Sequence, residues 1–419
     1  MSITETSILA ASGLLLLAYL IDIVGRRYRL PGVVLLIATG IALRLALAPL
    51  GIDLPWLKPV VKVLGTLGLI LIVLEGALDL TVTRERARLM TVAAASAFLG
   101  FVVTLAVFAA IFVAAFALAP ADAILVAIPF SVISSAVAIP GAAGLPDEPR
   151  EFIIYESSLS DIIGVLVFYA WLAADGSLQD FAIDFVGGGV ISLTIALILA
   201  PAIFYFLNRL EGHVRFLPLI AGLVFMYAAG KALHLSPLVL VLGCGLLLNN
   251  PHLGNWSRQL AAVRGEGYDQ TLKEFKGLVA ELTFAAKSFF FLVLGYLTDL
   301  DTMRSWRAWA IAVAVFGVVF VSRYAILRLL RQRDKRILTW IAPRGLITVL
   351  LFLAVLETGK IPGFPLGAAM LVVLATSAAT ALAHRGARTT AAPFGCLPQT
   401  GRSDTVWERR SGIAAAQFG

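Results

Sequence analysis

Residues 155–164 read Tyr-Glu-Ser-Ser-Leu-Ser-Asp-Ile-Ile-Gly, which puts two carboxylates and three serine hydroxyls inside an otherwise apolar stretch. At helical spacing Ser157 and Asp161 share a face four residues apart, and Glu156 and Ser160 form a second pair at the same spacing. A carboxylate with a hydroxyl on its own stripe supplies the oxygen ligands that a hard cation requires. The same carboxylate can also take up a proton. Ionisable groups inside apolar runs are costly, so each is a functional candidate by default. The short list is Arg44, Glu75, Glu156, Asp161, Glu281, Lys287, Arg323 and Arg344. Arg44 and Arg323 lie near the ends of their runs and are expected to extend towards water. The others lie deeper. Lys287 and Glu281 are six residues apart and on different faces of one helix, so the spacing favours a partner for Lys287 on another helix.

Two runs are interrupted. One carries Ser131-Val-Ile-Ser134-Ser135-Ala-Val-Ala-Ile-Pro140-Gly141, the other Ala342-Pro343-Arg344-Gly345. Proline and glycine interrupt the helical hydrogen-bond ladder and free backbone carbonyls. Paired interruptions in corresponding positions of two halves point to a midplane site in secondary transporters. The plainer alternatives are ordinary proline kinks and, for Glu156, a structural ion pair between helices.

The elements that must position these residues follow from composition. The 419 residues are 60% hydrophobic and 14% charged, against about 45–50% and about 25% in soluble domains. With a mean hydropathy of +0.92, this excludes a cytosolic enzyme, a secreted disulfide scaffold and a disordered regulator. Cys244 and Cys396, the two cysteines, cannot build a disulfide framework or a thiolate metal site. A net charge of +7 does not indicate nucleic acid, because the basic residues lie in short clusters between apolar runs. A span needs about 20 apolar residues. Thirteen runs qualify, near residues 8–24, 31–50, 60–79, 91–118, 121–144, 152–174, 186–207, 216–233, 235–249, 277–298, 307–330, 337–357 and 364–383. The expected fold is an all-α polytopic membrane protein with about thirteen transmembrane helices, inverted repeats and two crossed discontinuous helices.

Arg26, Arg27 and Arg29 follow the first apolar run, whereas a cleaved signal carries its charge ahead of it. The first run is therefore expected to be a retained helix with its amino terminus outside. Alternating thirteen spans from there places 23 basic residues on one side and six on the other. The positive-inside rule then puts the carboxyl terminus in the cytoplasm. Residues 384–419 lose periodicity and are expected to form a flexible cytoplasmic tail after a membrane domain spanning 1–383.

Taken together, Glu156-x-x-x-x-Asp161, the Pro343-Arg344-Gly345-Leu346 segment and Leu74-Glu75-Gly76-Ala77-Leu78-Asp79 resemble the monovalent cation–proton antiporters, in the Na+/H+ exchanger-type branch, over roughly residues 10–383. The resemblance implies that Asp161 binds a cation or a proton, with Ser157 contributing a side-chain oxygen. It implies a Glu156–Arg344 pair bridging the sixth and twelfth spans, and a role for Glu75 through water near a cytoplasmic funnel. It also places Ser134 and Ser135 at the unwound stretch that normally supplies carbonyls and a carboxylate. It implies a core bundle beside a bundle that forms a homodimer interface in the cell membrane, and no cofactor beyond the transported cation and H+. Lys287, where relatives often carry a basic residue, could neutralise Asp161 or Glu156. Two departures stand out. Ser160 occupies a position that is usually Asn or Asp, and Ser134-Ser135-Ala136 replaces the Thr-Asp-Pro of many relatives, so one ligand carboxylate is missing. The absence of a second aspartate favours exchange of one proton per cation.

The competing classes are less well served. An inverted-repeat symporter of a small organic solute would present arginines or helix amino termini to a carboxylate. A metalloprotease would show His-Glu-x-x-His, but His213, His234, His252 and His384 are dispersed. A channel would want a continuous polar stripe, and here the charges cluster at one depth.

Overall fold

The computed structural model describes residues 3–28, 32–47, 49, 57–209, 216–233, 235, 237–250, 268–298, 300–359 and 366–389. All regular structure among them is helical. Each of the thirteen apolar runs coincides with a helical stretch. In chain order these are α1 (Ile3–Tyr28), α2 (Gly32–Leu47), α3 (Leu57–Asp79), α4 (Ala87–Phe116), the broken pair α5 (Pro120–Ser131) and α6 (Ser135–Ala142), then α7 (Asp147–Ala173). There follow α8 (Leu178–Ile183), joined through a π-helical turn at Asp184–Gly188 to α9 (Gly189–Arg209), then α10 (Leu217–Ala232) and α11 (Pro237–Asn249). The chain ends with α12 (Tyr268–Leu297), the short α13 (Leu300–Arg304), α14 (Trp306–Leu329), the second broken pair α15 (Lys335–Trp340) and α16 (Leu346–Glu357), and α17 (Leu366–Thr389). Six stretches are long and apolar enough to cross a membrane, Pro120–Ala142 with its break among them. The last helix runs six residues past 383, and the rest of the expected tail lies outside the described residues.

The helices sort into two packed groups. In one, α4 lies against α5, α7 and α14, while α6 lies against α7 and α17 and α16 against α5. The other joins α1, α2 and α3 to α12, and α11 to α3 and α9. The breaks fall in the fifth and twelfth spans, each followed by an uninterrupted helix, as inverted repeats require. Phe130, just before the first break, packs against Phe108, Phe112 and Phe352 at centroid separations of 6.3, 6.1 and 5.8 Å. Large apolar side chains exposed along α1 and α9, such as Leu16, Leu20, Ile191 and Ile198, are surfaces that acyl chains would cover.

In a bilayer, helices associate through close van der Waals packing, which favours small residues at contacts. At the α2–α12 crossing a Cβ on Gly40 would lie 2.9 Å from the Cα of Gly295 and 2.8 Å from the Tyr296 nitrogen. A Cβ on Gly295 would lie 3.0 Å from the Cα of Ile37. Backbone touches backbone on both sides, so neither neighbour can rotate away. Gly295→Val is expected to destabilise the fold by about 1–3 kcal/mol, visible as a lower melting temperature in detergent, while a valine at Gly317, which has open space around it, leaves it unchanged.

Candidate functional site

The site is built where the two interrupted helices cross. Val132 and Ser134 are extended, with φ/ψ of −87°/132° and −79°/118°. The second interruption runs from Ile341 (−97°/72°) to Gly345 (−157°/−138°), with Pro343 excluding its predecessor from the helical region. Each extended stretch frees backbone groups that cannot stay unpaired in an apolar interior. The Ser134 amide donates to the Pro343 carbonyl at 2.9 Å, tying one break to the other. The Ile133 amide donates to Ser160 Oγ and the Ser135 amide to Asp161 Oδ2, both at 2.9 Å. On the other strand the Arg344 amide donates to Thr376 Oγ1 at 2.9 Å. The crossing is tight: a Cβ on Gly345 would lie 2.8 Å from that of Ser134.

α7 supplies the polar face opposite the crossing. Glu156, Ser157, Ser160, Asp161 and Gly164 recur at helical spacing and are all buried. Asp161, 4% exposed, meets the amino end of α6, where the Ser135 N–H and the helix dipole favour an anion. Its other oxygen, Oδ1, has no hydrogen-bond partner among the described residues, nor do the hydroxyls of Ser134 and Ser158. Ser157 is fully buried, and its hydroxyl donates to the Ile153 carbonyl at 2.7 Å, leaving its lone pairs unengaged by that bond.

Two sequence-based expectations are corrected here. Glu156 pairs with Arg323, not Arg344: Arg323 Nη1 and Nη2 donate to Oε1 and Oε2 at 2.9 and 2.8 Å. Ser96 Oγ donates to Oε1 at 2.6 Å. Both carboxylate oxygens are engaged, so Glu156 acts as a brace in this structure. Nor does Arg323 reach for water. It is 6% exposed, because α15 folds over the end of α14 and presents its Leu338 carbonyl to Arg323 Nε at 2.7 Å. Ser160 Oγ accepts from the Ile133 amide, a bond that leaves its second lone pair uncommitted. Arg344 is 1% exposed and instead holds the Phe130 carbonyl at the end of α5, with Nε donating at 2.7 Å.

The remaining candidates lie to one side. Lys287 Nζ and Glu75 Oε2, on α12 and α3, are 2.6 Å apart, a pair between helices with both groups within Coulombic reach of Asp161. Glu281 is exposed on α12. Arg44 donates to the Thr298 carbonyl beyond the end of α12 and so is bonded across helices. Beside the Glu156 brace lies a cavity of about 20 Å³ lined by Ser96, Ser131, Glu156, Arg323 and Arg344, room for about one water. No cluster of three metal-ligating side chains occurs among the described residues. Sequence reasoning missed Arg323 and Ser96 as partners of Glu156, and Ser158 altogether, although Ser158 stands three residues before Asp161 on the same helix.

A family model described as sodium/hydrogen exchanger, transmembrane, matches residues 13–383. The chain belongs to the sodium/hydrogen exchanger family. The family is one of membrane transporters. The exchanger's fold is similar to two solved structures of the sodium proton antiporter MjNhaP1 from Methanocaldococcus jannaschii. One has a TM-score of 0.71 at 18% identity and covers 91% of this chain and 100% of that one. The other, an electron-microscopy map, has a TM-score of 0.69 at 18% identity and covers 93% and 97%. No curated protein matches the sequence.

The brace makes a direct prediction. Removing one partner of a buried ion pair leaves the other charge uncompensated and costs about 3–5 kcal/mol. Arg323→Met is therefore expected to reduce the exchanger's stability by that amount, and Glu156→Leu in the same protein to restore at least half of it. A double-mutant cycle read by thermal unfolding in detergent checks this; additive losses would show that the two side chains do not act as a pair.

Proposed function

We propose that this exchanger moves a monovalent cation, Na+ first among Na+, Li+ and K+, against a proton at Asp161, by alternating access and without net charge movement. The observation that carries the reading is the state of Asp161, a buried carboxylate with one oxygen on a backbone amide and the other unpaired. Burial disfavours the ionised form, whereas the amide and the helix amino end favour it. Such a balance lets a proton and a cation compete for one group: the protonated acid releases H+ as the cation binds, and the reverse step regenerates it. Oxygens that support a ligand shell are Asp161 Oδ1, the unpaired hydroxyls of Ser134 and Ser158, and the acceptor face of Ser157.

Charge accounting supports one proton per cation. Glu156 and Glu75 each hold a basic partner, Arg323 and Lys287, whereas Asp161 is in no ion pair among the described residues. One site carboxylate then cycles between a proton and one cation, with Arg344, Lys287 and Glu75 setting the surrounding field. An organic-anion symporter would need the arginines facing a substrate, and here Arg323 and Arg344 are turned to a glutamate and to helix carbonyls. The proposal includes an orientation in the cell membrane with the arginine-rich loops cytoplasmic and the amino terminus outside. It also includes a homodimer formed through the group of α1–α3 and α9–α12.

In proteoliposomes with an imposed pH gradient, Na+ is expected to dissipate the gradient and Asp161→Asn to abolish this while leaving the melting temperature unchanged. A variant that still exchanges would move the site elsewhere. A membrane potential of 100 mV biases a one-charge cycle by about 2.3 kcal/mol, roughly 50-fold in the equilibrium gradient. The Na+ distribution reached by this exchanger is expected not to shift when that potential is set with valinomycin. The Lys287–Glu75 pair should tune affinity with opposite signs. Lys287→Met leaves a carboxylate facing the site and lowers the half-saturating Na+ concentration, whereas Glu75→Gln leaves an ammonium and raises it. Each effect should be on the order of 1 kcal/mol, about fivefold, and equal signs in a Na+ titration would refute the assignment.

A further inference from the structure

Away from the crossing, α14 and α15 enclose a groove of about 470 Å³ lined by Phe320, Val321, Tyr324, Arg336, Thr339 and Trp340. Its floor is a chain of tilted, packed aromatics, with Phe316–Phe320 and Phe320–Trp340 centroids 4.4 and 5.1 Å apart. The mouth faces outward: Val321 is 71% exposed and Trp340 47%. Phe320 lies nine residues before the end of α14, which is about 13 Å along the helix axis. The apolar part therefore extends from the interfacial level, where Trp and Tyr concentrate, into the depth of the acyl chains.

The rim has the opposite character. From the last turn of α14 into the first turn of α15 the chain carries Arg328, Arg331, Arg333, Lys335 and Arg336 with a single acid, Asp334. All four arginines are exposed, and no carboxylate stands within ion-pair reach of any of the five among the described residues. An apolar slot that ends in unpaired guanidinium groups complements a molecule with a hydrocarbon tail and an anionic head. We propose that this groove binds an anionic phospholipid from the bilayer, its acyl chain along Phe320, Val321 and Trp340 and its phosphate at Arg336.

The position gives such a lipid a consequence. One wall is α15, the half-helix leading into the second break. Its Leu338 carbonyl holds Arg323, which braces Glu156, and its Trp340 carbonyl accepts from Thr380 Oγ1 at 3.2 Å. A lipid seated there packs against the outer side of the segment whose inner side positions the crossing.

The test is native mass spectrometry of the full chain in detergent, titrated with equal amounts of phosphatidylglycerol and phosphatidylcholine of matched acyl chains. The wild type is expected to retain phosphatidylglycerol at least about fivefold over phosphatidylcholine. Arg336→Gln, at an exposed position, removes about a fivefold share of that preference, and Arg336→Lys keeps most of it. Trp340→Ala lowers retention of both lipids, with the melting temperature read alongside to show that the fold persists. Arg84→Gln/Arg88→Gln, which removes exposed charge from a different loop, leaves the preference intact. Equal retention of the two lipids would overturn the proposal, since lipids that merely coat the surface have no headgroup preference here. So would a loss of preference in the Arg84/Arg88 variant as large as that in Arg336→Gln.

Discussion

A backbone amide or carbonyl that leaves its helix in an apolar interior must find another partner, and this demand organises the centre of the exchanger. Two half-helices end at the crossing and two begin there, so carbonyls and amides are orphaned on both strands. The carbonyl ends are met by cations: Arg344 takes the Phe130 carbonyl at the end of α5, and Arg323 takes the Leu338 carbonyl near the end of α15. The amide end of α6 is met by an anion, Asp161. Each charge sits at the helix end whose dipole favours it. The group that would bind the cation is thus also a structural partner of the backbone. Its position is fixed through one oxygen while the other stays available.

Pairing decides which carboxylate remains negotiable. Glu156 is held by two guanidinium nitrogens and a serine hydroxyl, and protonating it would strand a buried arginine. Glu75 is held by one ammonium in a partly exposed setting. Asp161 is held by neutral groups, the Ser135 amide and side chain at the amino end of α6, and its Oδ1 has no hydrogen-bond partner among the described residues. Position 135 is a serine, so that residue places no second buried charge within the same few ångströms of Asp161. Like charges that close would not both ionise.

Much of this was legible in the chain. Apolar run length located the helical stretches, and Pro343 with Gly345 marked the second break. The first break had a weaker signal, since its prolines, Pro129 and Pro140, sit inside the half-helices and not at Val132–Ser134. Asp161 stood out because its neighbours at helical spacing are polar. Partner choice was not legible. Arg323 lies near the end of an apolar run, a position from which arginines normally extend to water. Only the return of α15 across that end buries it and turns it to Glu156. Arg344 sits beside the break and was the natural partner for Glu156 by sequence, yet the crossing aims it at the end of α5. Spacing along one helix cannot report such contacts, because they depend on how helices from distant parts of the chain cross.

The distribution of these pairs across the two helix groups bears on how exchange proceeds. The Glu156 brace joins α4, α7, α14 and α15, all within the group that holds the crossing. The Glu75–Lys287 pair joins α3 to α12, both within the other group. Each group therefore has its own internal ion pair, and none of the ion pairs among the described residues spans the two. A relative movement between the groups, as alternating access requires, would break neither pair. Besides contacts such as the Tyr155 hydroxyl on the Thr81 carbonyl, it would change the distance between Asp161 and the Lys287–Glu75 pair, whose field bears on how strongly a proton or a cation is held. On the proposed cycle, the rigid brace preserves the ligand geometry while the field across the boundary varies, which couples access to affinity without any buried charge losing its partner.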